Sequence, residues 1–277
     1  MGEILSKPWR NPSDLTLELD EKLRKEVVDI QKDRKLKRKP NILVLGPVGT
    51  GKSSFINSVI SACRGRIAKE TKVRELKTSC TRQYAQAAAT DPSIDFVMFD
   101  TFGVAEKSSR GFNVNDVVSV IKGHVRPGYT FKEDESITPD NKTYYITDPK
   151  KEDQIHCVVF LLSAYDVHRG YLSDVYKDKL KDLQKKVEEL EIPFLVVLTK
   201  CDLIYGDIKK IFKSRDVYKV TEAARKIFEV QENDVYPLKN YNTEIMSDPM
   251  VNIPILLALK QILYHAYDYQ DRHDRVN

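Results

Sequence analysis

Cysteine, histidine and tryptophan are scarce in this chain of 277 residues, which holds 4, 5 and 1 of them. The cysteines, Cys63, Cys80, Cys157 and Cys201, are scattered, and no two stand at CxxC spacing. That rules against a disulfide framework or a structural zinc site as the basis of the fold, and the thiols read as the reduced cysteines of a cytoplasmic protein. Long hydrophobic runs are missing too. The longest strictly apolar stretches, such as 158–162, are far too short to span a bilayer. The opening MGEILSKPW has no apolar core of the signal-peptide kind, so no secretory leader is expected. It does fit the bare myristoylation pattern, Gly2 with Ser6, but the acidic Glu3 suits an acyl pocket poorly. We read an ordinary start and expect no membrane partner. Charge of one sign is also lacking, since 45 basic against 41 acidic residues leave +4. Neither nucleic acid nor an acidic partner is demanded. The one basic cluster, residues 32–39, has no interleaved aromatics and reads as the solvated end of a helix.

What the chain does have is the composition of a folded protein, 41% hydrophobic and 31% charged. Leu19, Leu23, Val27 and Ile30 recur at helical spacing within 14–38, so residues 1–40 are expected to form a helical extension. From 41 to 277 short Val/Ile/Leu runs alternate with amphipathic segments. Strands are expected at 41–45, 82–88, 94–99, 155–162, 194–198 and 235–237. Helices are expected at 52–63, 174–190, 217–230 and 253–269. Continuous apolar strands alternating with helices imply an α/β fold, a mostly parallel sheet covered on both faces. Residues 104–153 are polar and turn-rich, with at most one helix near 113–123. They read as an insertion over the ligand edge of the sheet.

The first motif is Gly46-x-x-x-x-Gly51-Lys52-Ser53, set between an expected strand and an expected helix, as a P-loop requires. Gly46, Gly49 and Gly51 let successive amides converge on a β-phosphate, and the helix start adds its positive dipole end. Lys52 is placed to reach the β- and γ-phosphates and Ser53 to ligate Mg²⁺, with Thr50 and Ser54 completing the phosphate-binding segment. Asp100-Thr-Phe-Gly103 closes the next strand but one. Asp100 suits a Mg²⁺ partner, and Gly103 can bring its amide to the γ-phosphate. A threonine before the second strand should complete the metal shell in the triphosphate state. Thr81 is our choice, with Thr78 its rival.

The second motif identifies the base. Thr199-Lys200-Cys201-Asp202 follows the strand expected at 194–198. A carboxylate at Asp202 can accept guanine N1–H and the exocyclic amine together, a pair of donors adenine does not offer. The Lys200 stem should lie along the base plane. A last loop, with Lys239 and Asn240, stands where a backbone amide meets the guanine carbonyl. Together these residues define a Ras-like P-loop G domain that takes GTP or GDP with Mg²⁺.

The chain resembles the interferon-induced protein 44 family of GTPase-like proteins. The likeness runs from KPWR at 7–10 through GPVGTGKSSFINSV and DTFGV to YPLKNY, and includes IKGHVRPGYTFKEDESI at 121–137. It implies a cytoplasmic protein with interferon-linked antiviral or antiproliferative roles and protein effectors of unknown identity. Hydrolysis is expected to be slow or absent. Val104 stands where Ras-like enzymes carry the glutamine that orients water, and Val48 brings an apolar side chain near the γ-phosphate. Arg82, Arg110 and Arg126 lie in plausible switch regions, yet none is an obvious replacement. The competing reading is a non-catalytic scaffold whose nucleotide merely stabilises the domain.

Overall fold

The computed structural model describes residues 3–12, 14–32, 38–69, 84–88, 94–101, 103, 114–132 and 135–275. Among these residues six strands form one sheet: β1 (Asn41–Leu45), β2 (Ala85–Ala88), β3 (Val97–Asp100), β4 (Cys157–Ser163), β5 (Phe194–Thr199) and β6 (Val235–Pro237). Their order is β2-β3-β1-β4-β5-β6. Only β2 runs antiparallel, against β3, with Gln86 opposite Phe99. β1 lies between β3 and β4, so Val44 pairs with both Asp100 and Val159. The side chains of β1, β3 and β4 are buried throughout, as strands covered on both faces must be.

The helices fall into two contacting groups. α1 (Leu17–Lys32), α2 (Lys52–Arg64) and α7 (Pro249–Arg275) pack together, and α3 (Val114–Ile121), α4 (Ala164–His168), α5 (Asp174–Glu189) and α6 (Arg215–Phe228) form the rest. Leu15, Leu23 and Val27 share one buried core with β1, α2 and α7, so the described part of the 1–40 extension is packed onto the domain. On α1 the stripe buries Leu23 and Val27 as expected and also admits Asp20 and Gln31. Gln31 bridges the Val27 carbonyl at 2.8 Å and the Asp95 amide at 2.6 Å, which removes the penalty of burying its amide.

Three features differ from the sequence reading. α7 starts four residues earlier than the expected 253 and ends six later than 269. Pro249 sits at its first position, where a missing N–H is harmless, and Pro254 lies inside the helix one turn further on. Asp274 in its last turn pairs with Arg38 and, at 3.0 Å, with Lys151. Second, the described residues of 114–153 pack onto the sheet through buried aromatics that the polar reading passed over. They cover the β2–β3 end and reach the amino end of β1. The Tyr84 amide bonds the Tyr129 carbonyl at 2.8 Å, and the Asn41 amide nitrogen Nδ2 bonds the Glu152 carbonyl at 2.7 Å. The reason is apolar: Tyr129, Phe131 and Ile137 are buried, and Tyr84 stacks on Phe99 with ring centroids 5.1 Å apart. Third, residues 3–10 form a strap across α6. Trp9 meets Phe212 and Tyr218 at 5.8 and 5.6 Å, and the Arg10 guanidinium reaches the carbonyls of Glu232 and Val235. Among the described residues no helix is long and apolar enough to cross a membrane.

Candidate functional site

The carboxyl ends of β1, β3 and β5 gather the expected residues at one edge of the sheet. The chain leaving β1 turns at once because Gly46 passes so close to β4 that a Cβ there would lie 2.3 Å from the Leu161 carbonyl oxygen. Gly49 and Gly51 follow with φ of 82° and 86°, and Lys52 opens α2. Thr50 is buried, its hydroxyl on the Pro47 carbonyl at 2.9 Å. Its own carbonyl accepts the Thr199 hydroxyl at 2.6 Å. Thr199 is fully buried, so its side chain ties β5 to the phosphate loop rather than facing a base. Ser54 is half-buried on the first turn of α2, and its carbonyl accepts the Ser58 hydroxyl at 2.7 Å.

Lys52 folds back over the loop, with Nζ donating to the carbonyls of Gly46 and Pro47 at 3.1 and 2.9 Å. Burial lowers its ammonium to about 8, against the opposing pull of Asp100. Ser53 donates its hydroxyl to Asp100 Oδ2, while Asp100 Oδ1 is buried with no hydrogen-bond partner. Burial raises the Asp100 carboxyl, and Lys52 and Ser53 hold it down. A buried carboxylate with one oxygen on a hydroxyl and the other unpartnered offers the hard-oxygen donors that Mg²⁺ prefers. No cluster of three or more His, Cys, Asp or Glu side chains suited to a metal occurs among the described residues. Gly103 lies against the same loop, where a Cβ would come within 2.5 Å of the Val48 amide nitrogen. Val48 itself is 42% exposed. Thr81, Thr78, Val104, Arg82 and Arg110 lie outside the described residues. Arg126 lies in the 114–153 cover over β2 and β3, its amide on the Tyr144 carbonyl at 2.9 Å.

At the other end of the edge, Lys200 adopts a left-handed conformation with φ of 59°, which swings Asp202 onto a short 3-10 turn, Cys201–Leu203. The Cys201 amide donates to the Leu238 carbonyl at 3.3 Å, so this turn and the segment after β6 are laced together. Lys239 pairs with Glu244 at 2.6 Å. Asn240 donates from Nδ2 to the Gly51 carbonyl at 3.1 Å, and its Oδ1 is buried without a partner. The next residue, Tyr241, donates its amide to Ser58 Oγ at 2.9 Å. The base loop is therefore pinned to the first two turns of α2, just behind the phosphate loop. Ser58 and Glu244 escaped the sequence reading. Ser58, one helical turn after Ser54, and the Lys239 to Glu244 spacing of five are signals too ordinary to single out alone.

A sheet in this order, with a strand–loop–helix phosphate cradle at the end of β1 and a TKxD turn at the end of β5, is a Ras-like P-loop G domain. Solved structures share the fold. Toc33 of Arabidopsis thaliana in complex with GDP and Mg²⁺ matches with a TM-score of 0.51 at 19% identity, over 90% of this chain and 92% of that one. Toc33 in complex with Mg²⁺ and GMPPNP matches with a TM-score of 0.50 at 19% identity, over 91% and 93%.

In sequence, the chain is 33% identical over 241 residues to interferon-induced protein 44 of Mus musculus, covering 84% of this chain and 56% of that protein. It is 30% identical over 236 residues to interferon-induced protein 44-like of Homo sapiens, covering 82% and 52%. The likeness to the interferon-induced protein 44 family is thereby shown for the greater part of this chain. The chain spans about half the length of these curated relatives. No protein-family model matches it.

Proposed function

We propose that this chain binds a guanine nucleotide together with Mg²⁺ and hydrolyses GTP slowly or not at all. One observation carries the reading. The Ser53 hydroxyl faces a buried Asp100 carboxylate with an unpartnered oxygen at one end of the sheet edge, and Asp202 offers a carboxylate at the other. In this reading the amides of 46–54 hold the phosphates, and Lys52 leaves its two carbonyls to reach them. Ser53 and Asp100 hold Mg²⁺, with Thr81 added in the triphosphate state. The metal supplies neutralisation of phosphate charge. Thr199 acts through Thr50 by fixing the phosphate loop. Asp202 reads guanine, Lys200 lies along the base, and the backbone at Lys239 and Asn240 meets its carbonyl. Toc33, crystallised with GDP and Mg²⁺, supplies the precedent for the ligand on this fold.

Titration of nucleotide-stripped protein with Mg²⁺ and GTP, GDP or ATP tests the proposal. Guanine-selective binding is expected, and equal affinity for ATP would sink it. Turnover is a separate question. Val48 is apolar and exposed beside Gly103, and neither it nor Val104 can orient water or stabilise charge. Single-turnover phosphate release is expected to stay orders of magnitude below about 10 s⁻¹, the scale of an activated small GTPase. A rate near that scale would contradict the account.

The names of the relatives support a place among interferon-induced proteins, and we carry over the cytoplasmic, antiviral role that the resemblance implies. Interferon treatment of cells from the source organism should raise the transcript, and deletion should raise viral yield. An unresponsive transcript would count against that role.

A further inference from the structure

The base end of the site carries a charge pair with a consequence for base recognition. Lys239 Nζ and Glu244 Oε1 stand 2.6 Å apart, each side chain about a quarter exposed at 24% and 23%. Glu244 is itself held in place, because its Oε2 accepts the Asn242 amide at 2.7 Å. The segment around it is closed by Tyr241, whose hydroxyl accepts the Asp248 amide at 2.7 Å and donates to Asn252 Oδ1 at 2.7 Å. Asp202 is a second carboxylate near Lys239, since the Cys201 bond to Leu238 places its turn beside residue 239. Burial works to lower the Lys239 ammonium, but Glu244, and more weakly Asp202 and Asp248, raise it above its ordinary value. Asp202, by contrast, makes no hydrogen bond or ion pair with any described side chain.

We propose that Glu244 is a specificity-determining positioning residue, which draws the Lys239 ammonium to itself and leaves the Asp202 carboxylate open for the two N–H donors of guanine. The proposal rests on the guanine-binding reading above. A lysine on a flexible four-carbon stem, set between two carboxylates, goes to the one that is better placed and better held. An ammonium on Asp202 would occupy the oxygens the base must use, and that charge-assisted bond would have to break before guanine could enter. Glu244 removes the competition in advance. Its own contact with Lys239 lies outside the base and has no need to change on binding. The phosphate half of the site is untouched by this arrangement, so the effect falls on base recognition alone.

The test compares the intact chain with Glu244→Gln and with the double variant Lys239→Ala/Glu244→Gln, titrating Mg²⁺-GDP and Mg²⁺-ADP into nucleotide-stripped protein. Glu244→Gln keeps the shape and removes the charge, so Lys239 turns to Asp202 and GDP affinity falls about tenfold. The double variant, which deletes the competing ammonium, regains most of that loss. A merely structural role for Glu244 predicts the opposite, since a second truncation in the same loop cannot repair the first. GDP bound by Glu244→Gln as tightly as by the intact chain would overturn the proposal. So would a double variant no tighter than Glu244→Gln. Failure of the intact chain to prefer GDP over ADP would instead remove the guanine-binding reading itself, and this inference with it.

Discussion

The two ends of the nucleotide edge are built on opposite plans. The phosphate end is buried and bonded to itself everywhere but at Asp100 Oδ1: Lys52 rests on two carbonyls, Ser53 on Asp100 Oδ2, and Thr199 on Thr50. A ligand there must displace existing bonds, and the loop is held ready for it by backbone geometry. The base end is partly exposed, with Asp202 open and its surroundings fixed from behind by Asn240 on Gly51 and Tyr241 on Ser58. Affinity is thus assigned to a rigid cradle, and selectivity to a short turn whose position depends on distant partners.

The comparison breaks first at Lys52. Lys52→Ala removes the only cation buried in the cradle among the described residues, and GTP affinity should fall about 100-fold or more, read by calorimetry. Binding within a few-fold of the intact chain would mean that the phosphate end is not where affinity resides.

Tyr241→Phe probes the other end. It leaves the Asp248 amide and Asn252 Oδ1 short of a partner, and denaturant unfolding should show a loss of about 1–3 kcal/mol. GDP affinity should weaken along with stability, because Asn240 and Lys239 precede the lost anchor. Unchanged affinity at reduced stability would separate the anchor from the base loop.

The smallest effect is one of pH. With Lys52 lowered by burial to about 8 in the ligand-free fold and at 10.5 when unfolded, the unfolded chain binds the extra proton between those values. Stability of the ligand-free protein attributable to Lys52 should therefore rise as pH increases from about 8 to about 10.5. Thermal unfolding of the intact chain minus that of Lys52→Met isolates the contribution. A difference that is flat or falls across that window would show that the ammonium is not desolvated. Saturating Mg²⁺-GTP should abolish the slope, since phosphate oxygens beside Lys52 restore its affinity for the proton.

The contrast also explains what could be read from the sequence. The phosphate cradle was legible because it is contiguous and its chemistry is that of the backbone: one strand, eight residues and one helix carry it. Asp100 and Asp202 were legible because one ends an apolar strand and the other follows one by three residues. Lys239 and Asn240 were harder, since what fixes them is a set of bonds to Gly51 and Ser58 nearly two hundred residues away. Side-chain periodicity carries no record of such contacts. The same holds for Thr199, whose hydroxyl points at the phosphate loop, and for Trp9, whose aromatic pocket is made by Phe212 and Tyr218. The packing of the 114–153 segment was hidden by its polar composition, because only a few aromatics, Tyr129 and Phe131 among them, tie it to Tyr84.

The central claim is that Asp202 reads the base, and Asp202→Asn tests it most directly. Guanine presents an amine at its second carbon where xanthine presents a carbonyl, and an asparagine amide can donate where the carboxylate could only accept. Competition between Mg²⁺-GDP and Mg²⁺-XDP for the intact chain and for Asp202→Asn is the measurement. The account predicts GDP preferred by the intact chain and XDP preferred by the variant, with the phosphate contacts unchanged. A variant that keeps its preference for GDP would place base recognition elsewhere and contradict the account.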